Sequence, residues 1–397
     1  EHSRLQFCGR DGMMVAVFWI SFLLLAYIYF GYPVCIRLLA SARPLPVNKS
    51  GAYQPKVSIL IAAYNEAKDI EATLRNKLAL DYPREQLEIL VVSDESEDGT
   101  DEIVQAVAAD APFPVKLFRQ VPRQGKTAGL NMLKQHAEGD ILAFSDANSE
   151  WDQQALKALV SNFNDPAVGY VTGKMVYVNP EGALIGDGCS AYMKYENWLR
   201  AQETLVGSVV GVDGGIDAMR KELHSELNAD QLPDFVQPLK VVEQGYRVVY
   251  EPGALLKEEA LSDGGSEFSM RVRVSLRALW ALKDMKQLMS PANDPVFAWQ
   301  LISHKLLRYA AFAPMITLAI AALYLAPVKG LYALAAIGYG LFLYFAWAGY
   351  QKESRGQSLS TVYALPYYFV LLNLASFKAF VAFAKGEKKV VWNPRKG

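Results

Sequence analysis

Apolar positions change their spacing twice along this chain. From 13 to 36 they run almost without interruption. From about 57 to 260 they come in short runs, each closed by polar residues. Beyond 309 the long runs return, at 309–328, 330–351 and 356–377. Each long run reaches the ~20 residues a helix needs to cross a bilayer. The charged residues crowd into 37–308. The pattern predicts a membrane protein with one large water-facing domain between a first span and about three later ones.

Within that domain the period alternates. The runs 57–63 (VSILIAA) and 87–93 (LEILVVS) are continuous and apolar, as in parallel strands covered on both faces. A weaker strand is expected at 115–119, and another from Ile141, closing in Ser145-Asp146-Ala147-Asn148. Helical spacing follows each strand: to about Leu80, after Gly99, from Arg123 to His136, and over 152–163. Four such alternations predict a mostly parallel, doubly covered sheet. Its ligand crevice should lie at the carboxyl ends of the strands, where the polar residues gather. The second half is less regular. A long strand is expected at 168–178, a helix at 186–204, a helix start at Pro233-Asp234 and a short strand at 248–251. The glycine-rich 207–215 (GSVVGVDGG) marks backbone in close approach to another strand or to a ligand. At 268–289, Arg271, Arg273, Arg277, Lys283 and Lys286 mix with Val272, Leu276, Leu279, Trp280 and Leu282, as in a helix lying at a membrane interface. The expected divisions are a spanning helix at 13–40, an α/β domain at 54–265, interface helices at 266–304 and a membrane region at 305–385.

Composition adds little. Hydrophobic residues make up 52% of the 397, and the net charge of −1 offers nothing to nucleic acid. Cys8, Cys35 and Cys189 lack metal-ligand spacing, and the four histidines read as structural. Residues 1–12, ahead of Met13-Met14, read as foreign to the fold. Arg37 and Arg43 after the first span favour a cytoplasmic domain.

Strand alternation would aim Asp146 and Asn148 at one spot, and their oxygens suit a hard divalent cation, Mg²⁺ or Mn²⁺; the competing reading is an ordinary turn. Asp94 either accepts from a nucleotide's base or ribose or caps the helix near Gly99. Lys126, at a helix start after glycine, is either a phosphate ligand or a solvated side chain. Asp234 is either a general base for an attacking hydroxyl or a helix-dipole carboxylate, and position alone favours the latter. Arg277, with Arg273 one turn earlier, reaches either a pyrophosphate or lipid headgroups.

Taken together, VSILIAAYNE at 57–66, ILVVSDESEDGT at 89–100, RQGKTAGLN at 123–131, FSDANS at 144–149, LPDFV at 232–236 and RVRVSLRALW at 271–280 resemble the membrane-integrated family-2 glycosyltransferases. These include synthases of cellulose, hyaluronan, chitin oligosaccharide and poly-N-acetylglucosamine. The resemblance implies a GT-A fold and inverting transfer from a nucleotide sugar, usually a UDP-sugar. It gives Tyr64, Glu66, Asp94, Lys126 and Asp146 to the nucleotide, Asp146 and Asn148 to the metal, and Asp234 to the base. It gives Asp213, Gly214 and Gly215 to the acceptor end and Arg277 to the family's Gln-x-x-Arg-Trp motif. Three departures stand out. The metal motif is Asp-Ala-Asn, Pro233 replaces an acidic neighbour of Asp234, and Ala278 stands where the motif's tryptophan cradles an acceptor sugar. The implied acceptor is a growing polysaccharide; the alternatives are one sugar added to a lipid, or a silent scaffold of a secretion complex. The setting is the inner membrane. Three later spans would put the tail outside, whereas its Lys385, Lys388, Lys389, Arg395 and Lys396 argue for inside, so one later segment, best matched by 356–377 with Pro366 and Asn373, is expected to be re-entrant or interfacial.

Overall fold

The computed structural model describes residues 2–178, 188–259, 264–357 and 359–388. The first helix, α1 (His2–Ala26), passes through one π turn at Tyr27–Gly31 into α2 (Tyr32–Ala42). Pro33 explains the wide turn: it has no N–H for the Tyr29 carbonyl. That carbonyl accepts instead from the Tyr195 hydroxyl at 3.1 Å, tying the membrane helix to the domain.

The chain then alternates: β1 (Val57–Ala63), α3 (Ile70–Leu78), β2 (Leu87–Ser93), α4 (Thr100–Ala109), β3 (Val115–Arg119), α5 (Lys126–His136) and β4 (Ile141–Asp146). It continues through β5 (Glu150–Trp151), α6 (Ala155–Ser161), β6 (Val168–Val178), α7 (Gly188–Val206), β7 (Ile216–Arg220), α8 (Pro233–Glu243) and β8 (Arg247–Glu259). One sheet holds all eight strands in the order β3-β2-β1-β4-β7-β6-β8-β5. The first four are mutually parallel. β7 runs antiparallel to both β4 and β6, while β6 and β8 are again parallel. The expected mostly parallel α/β sheet is therefore present, with reversals at β7 and at the edge strand β5. One face packs Ile70, Leu74, Val104, Leu156 and Leu159; the other packs Leu130, Leu133, Tyr170 and Val241. Burial of both faces is why β1 and β2 read as unbroken apolar runs.

Several expectations shift. β7 was not foreseen, because Asp217 interrupts its apolar alternation. β8 extends from the expected 248–251 to Arg247–Glu259. The predicted 186–204 helix is α7, with 186 and 187 outside the described residues.

The membrane-side elements are α9 (Gly264–Asp284), α10 (Pro295–Gln300), α11 (Leu307–Tyr309), α12 (Phe312–Leu325), α13 (Gly330–Glu353) and α14 (Thr361–Ala384). Among the described residues, Asp11–Ala42, Gly330–Glu353 and Thr361–Ala384 are long and apolar enough to cross a bilayer. A fourth span arises if Pro295–Tyr309 and Phe312–Leu325, bent by 59°, count as one. The irregular segment is thus this bent pair and not 356–377: Pro366 lies within α14 without ending it. Pro314 denies the Ala310 carbonyl a helical partner at the bend. α9 carries two apolar stripes, and both are covered. Val272, Leu276 and Leu279 pack on Ala375 and Ala379 of α14; Ala278, Ala281 and Leu282 pack on Phe235, Leu239 and Phe297. The Trp280 indole donates to the Glu387 carbonyl at 2.9 Å, and Lys388 pairs with Asp230. The start of the tail therefore lies beside α9 and the α/β domain; Lys389, Arg395 and Lys396 lie outside the described residues.

Candidate active site

The loops after β1 and β2 are zipped together. Asn65 and Glu95, one at each strand end, hold left-handed backbone at φ 54° and 62°. Such strain in non-glycine residues persists only where the surroundings over-determine it. Here the Asn65 N–H donates to Ser96 Oγ, and its side-chain oxygen takes the Glu97 N–H. The Glu66 N–H donates to Thr100 Oγ1, and Asp98 takes the Ala67 N–H.

Asp94 does not cap the helix near Gly99. Its oxygens accept from the Gln124 N–H at 2.9 Å, the Gly125 N–H at 3.0 Å, Gln120 Nε2 at 2.5 Å and Arg123 Nε at 3.2 Å. It is a staple holding the 120–125 loop against the end of β2. The turn before α4 is closed instead by Asp98, which accepts from the Thr100 N–H. The stapled loop lays the Arg123 guanidinium 3.4 Å from the centre of the Tyr64 ring. Tyr64, Glu66 and Asp94 thus share one wall, with Arg123 as an unforeseen member.

The same staple positions Lys126, the first residue of α5. Its ammonium lies 2.7 Å from Asp146 Oδ1 and 3.6 Å from Asp234 Oδ2. Burial works against that charge, but Asp146 and then Asp234 outweigh it and hold the ammonium above its ordinary range. Burial raises the Asp234 carboxyl; Lys126 opposes this and Asp146 adds to it. Asp234 has lost its acidic neighbour in sequence but gains Asp146 through space. On the phosphate question the structure shows Lys126 as a bridge between two carboxylates.

Between those carboxylates passes the glycine-rich loop. At Gly214 φ is +89°, and an added Cβ would sit 2.7 Å from Asp234 Cγ; a Cβ at Gly215 would lie 3.6 Å from Asp146 Oδ2. The close approach expected of this stretch is thus to Asp234 at Gly214 and to Leu256 of β8, 2.6 Å from an added Cβ, at Gly215. Asp213 differs: its carboxylate is engaged by Arg200 at 2.5 Å and by the Met175 N–H. It anchors the loop to α7. Arg277 donates to the Gln231 carbonyl at 2.6 Å, and Asp234 acts on its charge, as does Arg273. Arg277 Nε is buried without a hydrogen-bond partner.

Asn148 does not share the Asp146 strand face. β4 ends at Asp146, and Asn148 follows in an exposed turn, so strand alternation no longer applies. A divalent cation still fits this corner. Asp146 already attracts one cation, Lys126, and hard oxygens suit Mg²⁺ or Mn²⁺. Among the described residues no three His, Cys, Asp or Glu side chains converge, so such an ion needs further oxygens from a bound diphosphate.

Behind the cluster lies a group missed in the sequence. Asp217, on β7, is fully buried. Its Oδ2 accepts from the Tyr170 hydroxyl at 3.0 Å, and its Oδ1 has no partner. Burial pushes its carboxyl up to about 7; a Thr172 bond opposes this and Asp234 reinforces it. An aspartate inside a run that otherwise alternates as strand was the available signal. Nearby, burial holds His224 down to about 4, so it is neutral.

Known proteins share the sequence pattern and fold of this chain. Residues 58–227 match the family model described as glycosyl transferase family 2. The chain is 28% identical over 267 residues to the poly-β-1,6-N-acetyl-D-glucosamine synthase of Staphylococcus aureus, over 66% of this chain and 62% of that one. It thus spans under two thirds of the length of these curated relatives. A probable glycosyltransferase, YdaM of Bacillus subtilis, is 35% identical over 134 residues, 33% of this chain and 32% of that one. Among solved structures, the mannosyltransferase PcManGT from Pyrobaculum calidifontis, in complex with GDP-Man and Mn²⁺, superposes with a TM-score of 0.73. That match has 25% identity and covers 94% of this chain and 99% of that one.

Proposed function

Because residues 58–227 match the glycosyl transferase family 2 model on a GT-A fold, we propose that this chain is a glycosyltransferase that performs an inverting transfer from a nucleoside diphosphate sugar to a growing polysaccharide, with Asp234 as general base. The observation that carries the proposal is the cluster of Asp234, Lys126 and Asp146 with Gly214 and Gly215 threaded through it. UDP is the nucleotide that the family resemblance implies, while the mannosyltransferase structure, which holds GDP-Man, supports testing GDP beside it.

In this reading the nucleoside rests against the wall of Tyr64, Glu66, Asp94 and Arg123. The diphosphate lies over the amino end of α5, where free N–H groups and Lys126 answer its charge. Arg277, supported by Arg273, approaches it from α9. A divalent cation at Asp146 and Asn148 supplies Lewis-acid stabilisation of the departing diphosphate when bound. Asp234 accepts the proton of the acceptor hydroxyl as its oxygen attacks the anomeric carbon. A carboxyl raised toward the working pH is the better base for that step. Gly214 leaves room for the acceptor oxygen beside Asp234. The catalytic domain would face the cytoplasm, with the apolar helices as a multi-pass anchor in the inner membrane.

One observation favours single transfer to a lipid. Ala278 is buried against α8, and Trp280 turns to Phe383 and Lys388, so the acceptor side gains no aromatic platform from either position. Sizing the product from labelled donor separates the readings: a ladder marks a polymer, one organic-soluble species marks a lipid. Asp234→Asn should retain donor binding and lose nucleotide release by about 10²-fold or more. Undiminished turnover in that variant would remove Asp234 as base.

A further inference from the structure

We propose that Asp217 is a positioning residue for donor binding: a buried neutral carboxyl beneath Lys126 and Asp234 that leaves the ammonium to Asp146 and Asp234 and keeps the cleft open to a diphosphate. The inference rests on the donor site argued above.

The placement comes from β7. Its alternation sends Ile216 and Ala218 to one core and Asp217 and Met219 to the other, under the amino ends of α5 and α8. In register, Asp217 lies beside Phe144 of β4 and Thr172 of β6. The groups that face it are few. Tyr170 donates to Oδ2. Thr172, beside it on β6, favours its charged form. Lys126 on α5 feels its charge, and Asp234 on α8 and Asp213 in the glycine-rich loop act on it. β4 contributes only the Phe144 ring at this level. Two of the three charged neighbours are acidic, and the one cation is closer to other carboxylates. An ionised Asp217 would keep a charged oxygen, Oδ1, buried without any donor. That state is far more costly than the neutral one. Burial accordingly holds the carboxyl up, near neutrality.

The charge count gives the consequence. Asp146 and Asp234 are offset by Lys126 and Arg277, so the cleft is near neutral while Asp217 keeps its proton. Ionising Asp217 adds one uncompensated negative charge below the place of the diphosphate. Donor affinity should then fall as pH rises through neutrality.

The test is a titration of UDP, and separately of GDP, into full-length protein in detergent with Mn²⁺, from pH 6 to 9. Wild type should bind on the order of tenfold more weakly at the alkaline end, the usual size of one unit-charge interaction in a protein cleft. In Asp217→Asn, which keeps the shape and the acceptor for Tyr170, that alkaline loss relative to wild type should be absent. Tyr170→Phe removes a bond that favours the charged form, so its break should move to higher pH. Superimposable profiles for wild type and both variants would overturn the proposal. If Asp217→Asn does not fold, as judged by its melting curve, Tyr170→Phe decides alone: an unmoved break refutes. Neither readout depends on turnover, so failure of Asp234 as base remains a separate result.

Discussion

The tightest geometric constraint in the site is at Gly214, and Gly214→Ala tests it. Two penalties are expected. The first is backbone: φ is +89°, a region that costs an L-residue about 1–2 kcal/mol. The second is contact: the new methyl would stand 2.7 Å from Asp234 Cγ, roughly 1 Å inside ordinary carbon–carbon separation. Backbone neighbours cannot retreat easily, so the Asp234 side chain must move. Displacing a reacting group by about 1 Å costs on the order of 10²-fold in rate. Gly245 supplies the control. Its φ is +85°, but no atom lies within 4 Å of an added Cβ. Gly245→Ala should therefore share the backbone penalty, about 1 kcal/mol and a few degrees of melting temperature, with turnover unchanged. Gly214→Ala should show a similar loss of stability together with the 10²-fold loss in kcat, read as nucleotide released per enzyme under saturating donor. Equal turnover in the two variants would show that Asp234 needs no room at Gly214, and the acceptor would have to be placed elsewhere.

Three other outcomes follow from the same contacts. Asn148→Asp restores a second anionic oxygen to the metal corner and should tighten Mn²⁺ binding in the presence of UDP, read by the loss of the free-ion paramagnetic resonance signal; unchanged affinity would remove Asn148 as a ligand. Asp217 should make stability fall as pH rises. Its carboxyl is raised from 3.8 to about 7, so the folded chain binds the extra proton in that window, and each pH unit costs 1.4 kcal/mol, about 4 in all. Melting curves of Asp217→Asn should lack that slope, and parallel slopes would refute the assignment. Asp213→Asn breaks a buried pair with Arg200 and should destabilise by roughly 3 kcal/mol, with nucleotide affinity preserved; lost affinity and an unchanged melting point would return Asp213 to the binding surface.

What could be read before the fold was known depended on how local its cause was. β1, β2 and β4 were legible because burial on both faces leaves an unbroken apolar run, a property of seven neighbouring residues at most. β7 was not, because its middle is governed by Asp217, whose surroundings come from β4, β6, α5 and α8. Asp94 shows the same limit. Its position at a strand end was readable, but its task depends on residues 120–125 folding back from β3, and that return path has no signature near Asp94. The missing acidic partner of Asp234 was a true statement about sequence neighbours that carried little weight in space, since Asp146 arrives from the end of β4 through Lys126.

That substitution of a spatial neighbour for a sequential one bears on how the site tolerates its departures from the family pattern. Three elements meet at the cluster: α5 brings the ammonium, β4 one carboxylate and α8 the other. Each side chain is set by its own element's start or end, and the glycine-rich loop is pinned independently by Asp213 on Arg200. The charge balance is then a property of the meeting point and not of any one motif. Changing Asp-x-Asp to Asp-Ala-Asn removes one negative charge from this corner, and losing the acid before Asp234 removes another. While Asp217 keeps its proton, two carboxylates stand against Lys126 and Arg277, a balance that an anionic donor can enter without first being neutralised.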